Sequence, residues 1–335
     1  MTVALGDILP TVRVISLPLR TRFRGIDARE AVLFEGPAGW TEFSPFPEYD
    51  DVESAAWLRA ALDFGWAEPV PAVRERVRVN ATVPAVSADG VAAVLDRFPG
   101  CRTAKVKVVE PGTTLAEDVA RVAAVRSILG VEGRVRLDAN GAWNVDEAEH
   151  AFHALAEYDL EYVEQPCASI PELTELRRRV KYMGIPIAAD ESVRKADDPI
   201  EVARALAADV LVVKAQPLGG VRAALDIVAA AGLPAVVSSA LDTSVGISMG
   251  LHLAAALPEL EFDCGLGTVA LFEGDIVDSP LVPVDGVLDV RRVVPSSALL
   301  DASAVDEERR TWWLDRLRRC HALVEDAAAF REGAE

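Results

Sequence analysis

Thr103-Ala104-Lys105-Val106-Lys107-Val108-Val109 is an apolar run that carries two ammonium groups. In a β-strand residues two apart share a face, so Lys105 and Lys107 point the same way. On a half-exposed strand that face would simply be wet. Here the neighbours are Ala and Val, the pattern of a parallel strand covered on both sides. Two lysines on one buried face need counter-charges, and the chain supplies them downstream. Asp138 closes Arg136-Leu137-Asp138 and is followed by Ala139-Asn140. Glu164 stands in Val163-Glu164-Gln165-Pro166, Asp190 in Ala188-Ala189-Asp190-Glu191-Ser192, and Lys214 in Val212-Val213-Lys214.

These residues fall on a repeat. From residue 77 onward, short β-rich runs alternate with Ala-rich helical ones. Strand ends are expected near Val83, Val108, Asp138, Glu164, Asp190, Lys214, Ser238 and Cys264, and from Asp138 they are 24 to 26 residues apart. One βα unit of a parallel barrel has that length. Helices are expected at 115–129, 145–155, 170–180, 199–206, 221–230 and 245–256, with Gly130, Gly184 and Gly232 at C-cap positions. Eight units with no GxGxxG after the first strand favour a closed barrel over an open doubly wound sheet. The expected fold is therefore α/β, a (β/α)8 TIM-like barrel at 74–274. An α+β capping domain is built from the N-terminal segment (1–73) and the C-terminal segment (275–335), which returns to it. In the cap, strands are expected at 12–15, 31–34 and 40–43 and a helix at 53–64. The tail is expected to hold short strands at 274–277 and 286–290 and a helix at 306–330, with the last residues frayed.

Composition sets the outer limits. The chain has 335 residues and a formal charge of −19, which argues against a general binder of nucleic acid or anionic membranes. A local site of opposite sign can still take an anion, so the expected partner is a small-molecule carboxylate. Cys101, Cys167, Cys264 and Cys320 form no CxxC pair and read as free thiols, which predicts a cytoplasmic protein. No signal peptide is expected, because Asp7 and Pro10 interrupt the first residues. The apolar stretches at 227–241 and 243–258 are broken by Gly232, Pro234 and Asp242 and fall short of a membrane span. Oligomeric state is not readable from the pattern. The segment 20–25, with Arg20, Arg22 and Arg24, is either a solvated loop or a lid facing an anion.

Barrel chemistry sits at the C-terminal strand ends. Three carboxylates on adjacent ends, Asp138, Glu164 and Asp190, cannot stay charged together uncompensated. A hard divalent cation such as Mg²⁺, held by three oxygens plus waters and substrate, resolves this. The competing role for each acid is to cap the following helix. Lys107 and Lys214 flank the acids in barrel order and could approach a bound substrate from opposite faces, with Lys105 as a neighbouring like charge. The pattern points to metal-assisted proton abstraction α to a carboxylate. Arg136 shares the strand face of Asp138 and is expected to help position Lys107 or the substrate.

With these motifs the chain resembles the enolase superfamily, in its muconate-lactonizing subgroup. Lys105-x-Lys107, Asp138-Ala139-Asn140, Glu164-Gln165-Pro166, Asp190-Glu191-Ser192 and Lys214 match in order and spacing, and Ser238 stands where a mandelate-racemase-like member would carry His. Within the subgroup the chain is similar to the o-succinylbenzoate synthase family. The matching segments are Gly39-Trp40-Thr41-Glu42-Phe43-Ser44-Pro45-Phe46-Pro47, Ser238-Ser239-Ala240-Leu241-Asp242-Thr243-Ser244 and Gly265-Leu266-Gly267-Thr268. This resemblance implies a Mg²⁺-dependent lyase of menaquinone biosynthesis. Its reaction would be syn elimination of water, through an enediolate, from 2-succinyl-6-hydroxy-2,4-cyclohexadiene-1-carboxylate to give 2-succinylbenzoate. It implies Lys107 as base and then acid, Lys214 as stabiliser of the enediolate, and Asp138, Glu164 and Asp190 as metal ligands. Ser238, Gly265 and Asn140 are the implied substrate contacts. An N-succinylamino acid racemase on the same scaffold stays open, because lysines on both faces of the α-carbon also suit racemisation.

Overall fold

A computed structural model describes residues 3–195 and 198–332. The expected fraying of the last residues falls on 333–335, outside that range. The chain begins with an antiparallel sheet of β1 (Arg13–Phe23), β2 (Ile26–Gly36) and β3 (Gly39–Phe43) in the order β1-β2-β3. The first two strands run well past the expected apolar cores, because charged residues alternate with buried ones along them. Their hairpin tip is two residues, Arg24 and Gly25, both in the left-handed region at φ 54° and 77°, with Phe23 paired to Ile26. Positive φ at both central residues is the type I′ pattern that matches the twist of the strands. One face of this sheet buries Val14, Val32, Phe34 and Phe43 against Trp57 and Leu58 of the helix Asp51–Trp66. Asp50 caps that helix, its Oδ1 accepting from Glu53 N at 2.8 Å.

A parallel sheet follows β4 (Arg76–Arg78). It holds β5 (Ala81–Val83), β6 (Thr103–Lys107), β7 (Arg134–Asp138), β8 (Leu160–Glu164), β9 (Ile187–Ala189), β10 (Val210–Val213) and β11 (Ala235–Val237) in sequence order. The ring closes through Cys264 and Gly265, which bridge Val79 on one side and Ser238 on the other. The expected eighth strand is thus reduced to two bridges: Cys264 N donates to Arg78 O at 2.8 Å and Gly265 N to Val237 O at 2.8 Å. Helices cover the outside at Leu115–Leu129, Val145–Leu155, Ile170–Val180, Val221–Ala231 and Ser244–Ala256. Capping boxes start the first three, at Thr114, Asn144 and Ser169, each with Glu three residues on. Gly130, Gly184 and Gly232 follow helical segments with φ 70°, 69° and 64°. Two expectations are corrected. The 199–206 helix shrinks to Glu201–Arg204, and 274–277 forms no strand.

The tail makes two returns. β12 (Val287–Asp289) pairs antiparallel with β4 near the N-terminal end of the barrel strands. The helix Glu307–Glu332 then lies on the cap. Trp313 Nε1 donates to Glu30 Oε2 at 2.9 Å, and Arg316 Nη2 donates to Ser54 Oγ at 2.6 Å. Among the described residues no helix is long and apolar enough to cross a membrane.

Candidate active site

Register places the charged residues in layers. Lys105 pairs with Arg136 and Arg136 with Tyr162; one layer nearer the strand ends, Lys107 pairs with Asp138 and Asp138 with Glu164. Lys105 Nζ reaches up to Asp138 Oδ2 at 3.0 Å and Glu164 Oε2 at 2.9 Å. Lys107 Nζ donates to Asp138 Oδ2 and Asn140 Oδ1, both at 2.6 Å. Lys214 Nζ donates to Asp190 Oδ2. All six charged groups are buried.

Three ammoniums therefore face three carboxylates, and the compensation is uneven. Burial disfavours the charged forms of Asp138 and Asp190. The lysines outweigh it, Lys105 and Lys107 at Asp138 and Lys214 at Asp190, so both carboxyls stay below their usual range. Burial likewise opposes the Lys105 ammonium, but Asp138 and Glu164 hold its pKa well above the ordinary value. Glu164 has to share Lys105 with Asp138. Burial, then the charge of Asp138, pushes it up to about 7. Among the described residues no three acid, His or Cys side chains stand arranged around one cation position. The lysines hold the carboxylate oxygens instead. The donor set still suits a hard cation: three buried carboxylates on consecutive strand ends, with Glu164 short of positive charge.

The cavity above the strand ends is lined by Lys105, Lys107, Asp138, Asn140, Asp190 and Lys214; Glu164 is not part of the lining and touches Lys105. Ser238 and Gly265 form the far wall. A Cβ on Gly265 would lie 2.5 Å from Ser238 Oγ, so a side chain there would require Ser238 to move. Asn140, at φ 47°, accepts from Lys107 and donates to Glu191 Oε1 at 3.2 Å, so its role in this structure is to orient a lysine.

Arg136 corrects an expectation. It does not line the cavity. Its Nη1 donates to Asn80 Oδ1 at 3.1 Å and Asp263 O at 2.6 Å, its Nε bonds Glu161, and its guanidinium lies 4.8 Å from the Tyr162 ring centroid. It shares the face of Asp138 but sits two residues, or about 6.6 Å, deeper in the barrel.

Arg194, Glu191 and Phe23 also line the cavity, and none of them stands among the expected site residues. Arg194 donates to Asp190 Oδ1 and to Tyr49 Oη, both at 3.2 Å, and Glu191 accepts from Arg194 at 2.7 Å. The signal for Arg194 was its spacing, four residues past Asp190 on a turn that the Asp190–Arg194 contact shows to be helical. From the cap, Phe23 lies over Lys107, its ring centroid 5.4 Å from Nζ. The segment 20–25 divides residue by residue between solvent and the cavity. Arg22 pairs with Asp27 in solvent, whereas Arg24 turns inward over Phe46 at 4.4 Å and donates to Tyr49 Oη at 3.1 Å.

Comparison with known proteins agrees with this architecture. Residues 14–65 match the enolase N-terminal domain-like family and residues 88–295 the enolase C-terminal domain-like family. A muconate lactonizing enzyme from Pseudomonas fluorescens, solved with muconolactone, superposes with a TM-score of 0.74 at 21% identity, covering 88% of this chain and 98% of that one. An N-succinyl Arg/Lys racemase from Bacillus cereus gives 0.73 at 19%, covering 88% and 97%. At such identity these two speak to the fold alone. Sequence relatives are much nearer. An o-succinylbenzoate synthase of Mycolicibacterium smegmatis is 58% identical over 322 residues, 96% of this chain and 98% of the relative. One of Mycobacterium tuberculosis is 55% identical over 321 residues, 96% of each chain. The chain belongs to the o-succinylbenzoate synthase family, within the enolase superfamily.

Proposed function

We propose that this chain dehydrates 2-succinyl-6-hydroxy-2,4-cyclohexadiene-1-carboxylate to 2-succinylbenzoate, a step of menaquinone biosynthesis. The observation that carries the reading is the placement of Lys107 and Lys214. They stand on β6 and at the end of β10, on either side of the acid-bearing strands β7, β8 and β9. Lys107 Nζ takes the proton α to the ring carboxylate. The electron pair of that C–H bond passes first into an enediolate on the ring carboxylate and then, as the C6–oxygen bond breaks, into the new ring double bond. The same Lys107 returns its proton to the departing hydroxyl on the same face, so substrate becomes aromatic product plus water. The Lys214 ammonium stabilises the negative charge that develops on the carboxylate oxygens. Asp138, Glu164 and Asp190 would hold Mg²⁺, which when bound adds electrostatic stabilisation at the substrate carboxylate. Arg24 is bonded to a phenol rather than a carboxylate, which leaves its charge available to the succinyl carboxylate. The four cysteines are free thiols, as in a cytoplasmic enzyme.

A paired assay tests this. With Mg²⁺, the protein should aromatise the cyclohexadiene acid, read by ultraviolet absorbance; chelator should stop the reaction and added Mg²⁺ restore it. The second arm follows the optical rotation of N-succinyl amino acids. Racemisation without aromatisation would overturn the substrate and leave the two-lysine chemistry standing.

A further inference from the structure

Glu42 closes β3 in the cap, yet its carboxylate is spent on the barrel. It is fully buried. Its Oε2 accepts from Thr243 Oγ1 at 2.6 Å, Gly246 N at 3.0 Å and Thr243 N at 3.2 Å, all at the start of the helix Ser244–Ala256. Its Oε1 accepts from Ser44 Oγ at 2.6 Å. A second cap side chain, the buried Arg29 on β2, donates from Nε to Leu241 O at 3.1 Å. Two cap residues thus grip segment 241–246 from both ends.

That segment continues directly from the cavity wall, which includes Ser238, Ser239, Ala240 and Leu241. The wall is not a relaxed turn. Leu241 has φ 64°, a left-handed conformation that a branched side chain resists. A strained turn persists only when its surroundings over-determine it. The spacing records the same demand: a Cβ on Gly246 would lie 2.7 Å from Asp242 Cβ and 2.9 Å from Glu42 Oε2, so the helix start is built to let that carboxylate in.

We propose that Glu42 is a positioning residue which, through Thr243 and Gly246, holds the 238–241 wall in the shape that receives the substrate's succinyl end. This rests on the substrate reading above. The cap then acts as a gauge for the barrel's binding wall as well as a cover over it.

The test is Glu42→Gln in the full chain, read in two ways. Hydrogen exchange should speed up at the Thr243 and Gly246 amides and through 238–241, while amides of β6 and β7 stay protected. In turnover of the cyclohexadiene acid, KM should rise roughly ten-fold, the loss of a charge-assisted bond, with kcat changed far less. Combining Glu42→Gln with Ser238→Ala should cost less than the product of the single effects on KM, because both act on one wall. Unchanged exchange at Thr243 and Gly246 would overturn the clamp, as would a lowered melting temperature with unchanged KM. Wild-type protein inactive on this substrate, with faster exchange in the variant, would overturn the substrate reading and uphold the clamp.

Discussion

The two ends of the barrel interior carry similar chemistry to opposite effect. Near the N-terminal end, Arg136 is enclosed by Glu161, Asn80 and the Asp263 carbonyl and stacked on Tyr162. Arg136 Nε and Nη1 each face a fixed neighbour, and Arg136 does not line the cavity at the other end. At the C-terminal end, two lysines share one Asp138 oxygen, Glu164 is left under-compensated, and a cavity opens above them. A buried charge network whose members are mostly held by fixed partners specifies structure. One with surplus charge and room above it is available for a ligand. The contrast lies within single strands: Arg136 and Asp138 are separated by one residue and share a face.

The comparison can be broken from either end, and the largest effect belongs to the open one. Lys107→Ala should cut kcat by about 10³–10⁴-fold with the circular dichroism spectrum unchanged; substantial residual turnover would remove Lys107 as the proton carrier. At the closed end, Arg136→Met leaves Asn80 Oδ1 and the Asp263 carbonyl without this donor and Glu161 with Arg134 alone, and should cost about 1–3 kcal/mol of stability in denaturant unfolding. KM of the folded fraction should not move, and a KM effect would mean that the lower layer is not separate from the site. Glu164→Gln should weaken Mg²⁺ binding by at least about ten-fold, measured by titration calorimetry. Unchanged affinity would take Glu164 out of the ligand set. The smallest effect sharpens the boundary: Phe23→Leu removes the ring over Lys107, and a cation–π loss of about 0.5–1 kcal/mol should appear as roughly a 2- to 5-fold change in kcat.

What could be read from the sequence follows from which interactions are local. A βα unit repeats its length, and a strand repeats its faces, so Lys105, Lys107, Asp138, Glu164, Asp190 and Lys214 could be placed at strand ends from spacing alone. Face is periodic; depth is not. That is why Arg136 was grouped with the site. The eighth strand closes the ring at Cys264, where it is expected, but only as the bridges at Cys264 and Gly265, which leave no run of alternating residues. Arg194 and Glu191 depend on how the chain turns after β9. The Glu42–Thr243 contact spans 201 residues of sequence and depends on the cap docking on the barrel, which no local pattern records.

The split cap has a consequence for how the chain is made. Phe34, Phe43 and Trp57 bury themselves partly against Trp313, Leu317 and Cys320. On a ribosome, the helix Asp51–Trp66 emerges roughly 12–48 s before Glu307–Glu332 begins, at about 5–20 residues per second. Throughout that interval the first-made sheet carries an apolar face whose cover does not yet exist, and the entire barrel must be synthesised in between. Nascent chains halted at residue 296 should therefore be cut by protease within 13–66, and released full-length chains should resist. For this protein the segment 13–66 is translated before the barrel and finished after it.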